Sequence, residues 1–412
     1  MAVYYIDPIE GTKENTGLSE ASPLKTNKGL PVMPGDRVLF KRGSVIRDAL
    51  WNVNGSKDAP ITYGAYGEGE KPVFCGSEDL TTPMLWKEIR ENVWECTRKL
   101  PTDACNFIFN ESEEFGSLVW NENELGRNGD WWDSGFTDDG EKLPQDHRTL
   151  LYCEENPADY YEHIECVLHK YRSLGATGEN MVIEDLVFCN NGIHGIAGEN
   201  PARNLMIRNC EFYHIGGCVW SLSQKIRFGN GVECWNVAEN VTVENCKFDD
   251  IYDSAVTHQG GPECETAKGF YIRYNEFSRC GMAAYEQRDR LPQEGEFTGN
   301  LCIDAGKGFS HFRTELPRNS EIWPQPMGHH IFLWRIEQEE ELCNFKVENN
   351  TFKDAPYGAA IYSIIQPKAE KQLRFANNHY EMKQFEMIAH LSGEIIMESK
   401  KCIELTENTK TD

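Results

Sequence analysis

VTVENCKFDDIYDSAV (Val241–Val256) decides the fold, because the chain repeats its pattern without internal gaps. MVIEDLVFCNNGIHGI begins at Met181, LMIRNCEFYHIGGCVW at Leu205 and FYIRYNEFSRCGMAAY at Phe270. GEFTGNLCIDAGKGFS follows at Gly295, FKVENNTFKDAPYGAA at Phe345, and a shorter copy, LRFANNHYEM, at Leu373. The sixth position holds Leu186, Cys210, Cys246, Asn275, Asn300, Asn350 and Asn378. The eighth holds Phe188, Phe212, Phe248, Phe277, Cys302, Phe352 and Tyr380. Starts are spaced by 24, 36, 29, 25, 50 and 28 residues. A fixed minimum with variable excess is what a closed coil with outward loops produces. The expected fold is all-β: a right-handed parallel β-helix, a solenoid whose turns stack at about 4.8 Å. A β-sandwich would not repeat an N-x-F corner at one offset.

The chain has 412 residues, 40% of them hydrophobic, enough for a substantial core. Acidic residues exceed basic ones by 66 − 41 = 25. That surplus disfavours nucleic acid and makes a polyanion an awkward partner. Fifteen scattered cysteines without CxxC pairs point to reduced thiols in a cytoplasmic protein, with no zinc site. The start, MAVYYIDPIEG, shows neither a basic nor an apolar leader region, and no run has the length of a membrane span.

The first half alternates strands with Gly/Pro/Asp turns in YYIDPIEGTKENTGLSEASPLKT, MPGDRVLFKRGSV and APITYGAYGEGEKPVFCGS. With the N-x-F corners behind them, these segments resemble the cap and first rungs of pectate-lyase-like β-helix proteins. That resemblance implies a carbohydrate-active enzyme acting on an oligosaccharide or polysaccharide. It leaves hydrolase, lyase, epimerase and esterase chemistries open. Three regions are expected: 1–84 as cap and first rungs, 85–171 as a β-rich insertion, and 172–412 as the main rungs with groove-forming loops. Within the insertion, Trp131 and Trp132 either stack against sugar faces or anchor the excursion to the coil.

Alternation sorts the last strand of each window into inward and outward columns. The sixteenth position (Ile196, Trp220, Val256, Tyr285, Ser310, Ala360) should face inward. The next (Ala197, Ser221, Thr257, Glu286, His311, Ile361) should face outward, with Glu233 joining it when Val232 is matched to Val256. Glu233, Thr257, Glu286 and His311 would then form one strip. Two carboxylates two turns apart stand about 9.6 Å apart at the backbone, near the roughly 6.5–9.5 Å of inverting glycosidases. Glu286 is the candidate acid, and Asp253 or Glu233 the base or nucleophile. His258 should point inward or end its strand, where a structural role competes with substrate binding.

A polysaccharide lyase or uronate epimerase is the alternative, with His311 or a tyrosine as base and Arg288 and Arg313 clamping a uronate. Pairing of those arginines with Asp289 and Glu315 competes with that role. A non-catalytic glycan-binding β-helix is a third class. The loops GGPECETAKG and TELPRNSEIWPQPMGHH, the second carrying Trp323, should wall the groove. No cofactor is required; EQEEEL (Glu337–Leu342) offers oxygen ligands that suit Ca2+. Flat β-helix faces suit self-association into a homo-oligomer.

Overall fold

The structure, a computed structural model, describes residues 1–112, 114–168, 172–260, 265, 267–288, 292–309, 328–337, 344–355, 359–366, 373–381, 386–390, 403–406 and 409–411. Three long parallel sheets, of 11, 10 and 7 strands, run the length of a coil. In the first, Met181, Leu205, Val241, Phe270, Gly295, Phe345 and Leu373 are successive register partners, so the sequence windows start at equivalent points of seven turns. In the second, Phe188, Phe212, Phe248, Phe277, Cys302, Phe352 and Tyr380 form the matching row.

Register turns one-dimensional repetition into packing. Ring centroids of Phe74, Phe188, Phe212, Phe248 and Phe277 follow one another at 5.6, 5.2, 4.7 and 5.1 Å, stacked near-parallel inside the coil. The sixth-position amides form a second ladder at the bend. Asn275 N–H donates to Asn300 Oδ1 at 2.9 Å, Asn300 N–H to Asn350 Oδ1 at 2.9 Å, and Asn350 N–H to Asn378 Oδ1 at 3.0 Å. Buried backbone donors at a corner, where no sheet partner is in line, are satisfied this way. The residue before each sixth position, as in Asn209, Asn245 and Asn349, takes a positive φ, here 52, 52 and 57°. Asparagine tolerates that left-handed conformation better than branched residues do.

Two excursions leave the coil. Residues 77–167 contribute a four-stranded and a five-stranded sheet, largely antiparallel, between early and late turns. Their core gathers Phe107, Phe109, Trp131, Leu151 and Tyr161. Arg47, at a corner of the coil, holds this region through a two-pronged contact with Glu165 at 2.8 and 2.6 Å. The second excursion is a hairpin, Cys218–Ser221 against Ile226–Phe228. It accounts for the 36-residue turn and corrects one expectation. Trp220 sits exposed on this hairpin, and Val232 takes the inward place beside Ile196 and Val256.

The twelve described cysteines are free and buried. Among the described residues no helix is long and apolar enough to cross a membrane.

Candidate active site

The third sheet carries the chemistry. Its strands Ile196–Gly198, Val232–Trp235, Ser254–Gln259, Ala283–Arg288 and Ile331–Glu337 pair in register, placing Ala197, Glu233, Thr257, Glu286 and Phe332 in one row. Neighbours in the adjoining rows (Val232, Cys234, Val256, Tyr285, Leu333) belong to the coil's core. Glu233, Thr257 and Glu286 therefore share the outer side on three successive turns. All three are nevertheless nearly inaccessible, at 8, 0 and 0% exposure. The groups are buried, where electrostatic contacts gain strength from the low local dielectric.

Each carboxylate has distinct partners. Glu286 Oε1 meets Arg288 Nε at 2.5 Å, and its Oε2 accepts from Ser254 Oγ at 3.0 Å. Residues 286 and 288 share a face because strand side chains alternate. Glu233 Oε2 accepts from Asn230 Nδ2 at 2.6 Å and from Gln259 Nε2 at 2.7 Å. Its Oε1 lies 3.7 Å from Nε2 of His194. Asn230 N–H donates to His194 Nδ1 at 3.0 Å, so the neutral ring carries its proton on Nε2, toward Glu233. Burial holds His194 below the usual histidine range, with the Glu233 charge opposing in part.

Asn230 and Ser254 connect the two carboxylates. Asn230 Nδ2 bonds Glu233, Asn230 Oδ1 accepts the Ser254 N–H at 3.0 Å, and Ser254 Oγ bonds Glu286. Between them, Thr257 Oγ1 is buried and finds no hydrogen-bond partner among the described residues. A buried hydroxyl without a partner costs about 1–3 kcal/mol. Asp253 lies at the corner next to Ser254, 2% exposed, and its Oδ2 accepts from Gly229 N–H at 3.3 Å, tying that corner to the base of the hairpin.

Other residues singled out from the sequence lie elsewhere. His258 is inside the coil: Nε2 is 3.1 Å from Asn236 O, Nδ1 is 3.0 Å from Gln287 Nε2, and burial lowers its pKa. A ring enclosed there does not reach substrate. Trp131 is fully buried, with Phe107 and Phe136 at 5.7 and 5.8 Å and the Arg227 guanidinium 5.6 Å from its ring, so it anchors the insertion and offers no sugar wall. Trp132 is half-buried against the same core. The place expected for His311, beside Glu286, belongs to Phe332, because the next strand of this sheet begins only at Ile331. His311, Arg313 and Trp323 themselves lie outside the described residues, as does most of EQEEEL. Arg288 is engaged by Glu286, while Asp289, its other expected partner, lies outside the described residues. Among the described residues no cluster of three or more His, Cys, Asp or Glu side chains is arranged to hold a metal.

His194, Asn230 and Gln259 were not singled out in the sequence, yet a signal for the first two exists. His194, Asn230 and Ser254 each stand two residues before the inward Ile196, Val232 and Val256, so they form a polar column of their own on successive turns.

No family model matches the chain. A segment is 34% identical over 100 residues to a lacto-N-biosidase of Bifidobacterium longum subsp. longum, a match covering 22% of this chain and 6% of that protein. Among solved structures, XylC in complex with xylose superposes with a TM-score of 0.51 at 15% identity, covering 94% of this chain and 64% of that one. An alginate lyase from Paenibacillus sp. str. FPU-7 gives 0.49 at 9% identity, covering 92% and 90%. Together with the register of the three sheets, the likeness to XylC gives the chain its fold, a parallel β-helix.

Proposed function

We propose that the chain is a carbohydrate-active enzyme, a glycoside hydrolase acting on a neutral oligosaccharide through Glu233 and Glu286. The observation that carries this reading is the buried pair of carboxylates two turns apart, with the unpartnered Thr257 hydroxyl between them. Two strand spacings set their backbones about 9.6 Å apart, and side chains leaning together reach the window of about 6.5–9.5 Å used in inversion. The likeness of a short segment to a lacto-N-biosidase supports the substrate class.

The roles follow from the partners. Arg288 complements the negative charge that a base carries, so Glu286 takes the proton from an attacking water. Glu233 meets neutral donors (Asn230, Gln259 and a His194 kept neutral by burial) and is assigned the acid that protonates the leaving oxygen. This reverses the sequence expectation that Glu286 is the acid. Asp253 positions the corner that holds Ser254. With Arg288 engaged, nothing described in this row is left to neutralise a uronate, which weighs against elimination. The free, buried thiols fit a reducing compartment.

The test is Glu286→Gln and Glu233→Gln, each assayed on neutral and uronic-acid glycans for new reducing ends and for the ultraviolet absorbance of an unsaturated product. Hydrolysis by the parent chain, lost by about 10²–10⁴-fold in either variant with thermal stability retained, supports the assignment. An unsaturated product supports the lyase alternative, and activity near the parent level in Glu286→Gln removes that residue from the mechanism.

A further inference from the structure

We propose that Trp235 is the platform on which a neutral pyranose ring stacks beside the carboxylate pair, an inference that rests on the hydrolase reading above. Trp235 ends the strand Val232–Trp235, two residues after Glu233, so the two side chains project from the same face about 6.6 Å apart along the strand. Its strand-mates are all buried, whereas the indole is 37% exposed.

The turn before it leaves the ring uncovered. There Ala197 stands beside Glu233, Gly198 beside Cys234, and the strand stops. On the turn after, Gln259 is the register partner of Trp235, and its amide nitrogen is committed to Glu233 Oε2. The guanidinium at this end of the face, Arg288, is engaged by Glu286. What the surface offers a ligand here is thus an apolar ring edged by polar groups already bonded to the catalytic carboxylates. A flat C–H face of an uncharged sugar matches that chemistry, because an indole contributes a large apolar area at little conformational cost. A uronate would bring a carboxylate toward two glutamates without a free cation opposite it among the described residues.

A lone exposed aromatic is ordinary on a protein surface. Trp235 differs in sharing a strand and a face with Glu233. The other exposed tryptophan among the described residues, Trp220, lies on the hairpin that leaves the same turn.

The experiment uses Glu286→Gln to prevent turnover. Intrinsic tryptophan fluorescence is followed while xylobiose, cellobiose, lactose or digalacturonate is added, and the titration is repeated with Trp235→Phe and Trp235→Ala in the same background. At least one neutral disaccharide should perturb the fluorescence. Its affinity should fall about tenfold or more with alanine and largely survive with phenylalanine. Unchanged affinity in Trp235→Ala, preference for digalacturonate, or no binding by any of the four overturns the proposal. The two readings fail separately. Trp235-dependent binding without hydrolysis by the parent chain would refute the hydrolase and leave the platform. Hydrolysis with an unaltered KM in Trp235→Ala would do the reverse.

Discussion

Asn300 offers a sharp test of the register on which the site depends. Alanine at this position removes the acceptor of the Asn275 N–H (2.9 Å) and of Asn275 Nδ2 (3.1 Å). It also removes the amide donor to Ile272 O and to Asn350 Oδ1, both at 3.1 Å. Asn300 is 2% exposed, so water does not replace these partners. Four hydrogen bonds at about 1 kcal/mol each give a loss near 4 kcal/mol, and the stranded Asn275 N–H keeps the figure from being smaller. Urea unfolding should register that loss, and hydrogen exchange should show the Asn275 amide losing protection while amides several turns away keep theirs, since each turn contacts chiefly its neighbours. Because Asn275 and Asn300 open the turns on either side of Glu286, turnover should fall as well. A loss below about 1 kcal/mol with the Asn275 amide still protected would refute the account of the ladder as the device that holds register.

His194→Asn removes the imidazole that faces Glu233 and accepts from Asn230 N–H. It should lower kcat about tenfold or more with KM little changed and displace one limb of the pH–rate profile, whereas profiles that superpose would deny His194 a part in positioning Glu233. Stability should also depend on pH in a definite direction. Burial lowers the pKa of His194, of His258 and of His330, the last to about 3. For these groups the unfolded chain binds more protons than the folded one below about pH 6.5. Their contribution is therefore full above that value and declines as pH falls, by about 1.4 kcal/mol per unit for each group. His147, raised by its hydrogen bond to Asp133, loses its contribution only as pH rises. Asp249 and Asp250, raised by burial, oppose the decline only in the carboxylate range. A thermal midpoint that stays level or rises between about pH 6.5 and 4.5 would contradict this balance.

The first two sheets were legible in the sequence because their signal is local and recurs: a short alternating β-strand, a polar corner, an aromatic at a fixed offset. The first residues of the seven windows are register partners in the structure. The third sheet was legible only in part, because variable loops precede it. Trp220 entered the wrong column since an inserted hairpin strand looks like a rung strand in hydrophobic alternation. Ser310 and Ala360 entered it where Ile331 and Ile361 belong, after an intervening loop in the first case and by one residue in the second. Glu233, Thr257 and Glu286 could be aligned because their valine and tyrosine neighbours repeat. The hydrogen-bond partners were harder to see. Gln259 reaches Glu233 across 26 residues, and nothing in either local sequence announces the contact. Trp131 and Trp132, adjacent on one strand, differ in burial for a reason visible only once the insertion has a core.

The hairpin at Cys218–Phe228 carries an evolutionary consequence. It enlarges a turn from the shortest length of 24 residues to 36, yet Ile196 still meets Val232 and Ala197 still meets Glu233. A coil that absorbs a dozen residues at a corner without displacing the next rung separates two kinds of heritable change. Ornament at the mouth of the site can be gained, lost or exchanged, altering which ligand enters, while the reacting groups behind it inherit their positions from the stacking of the coil.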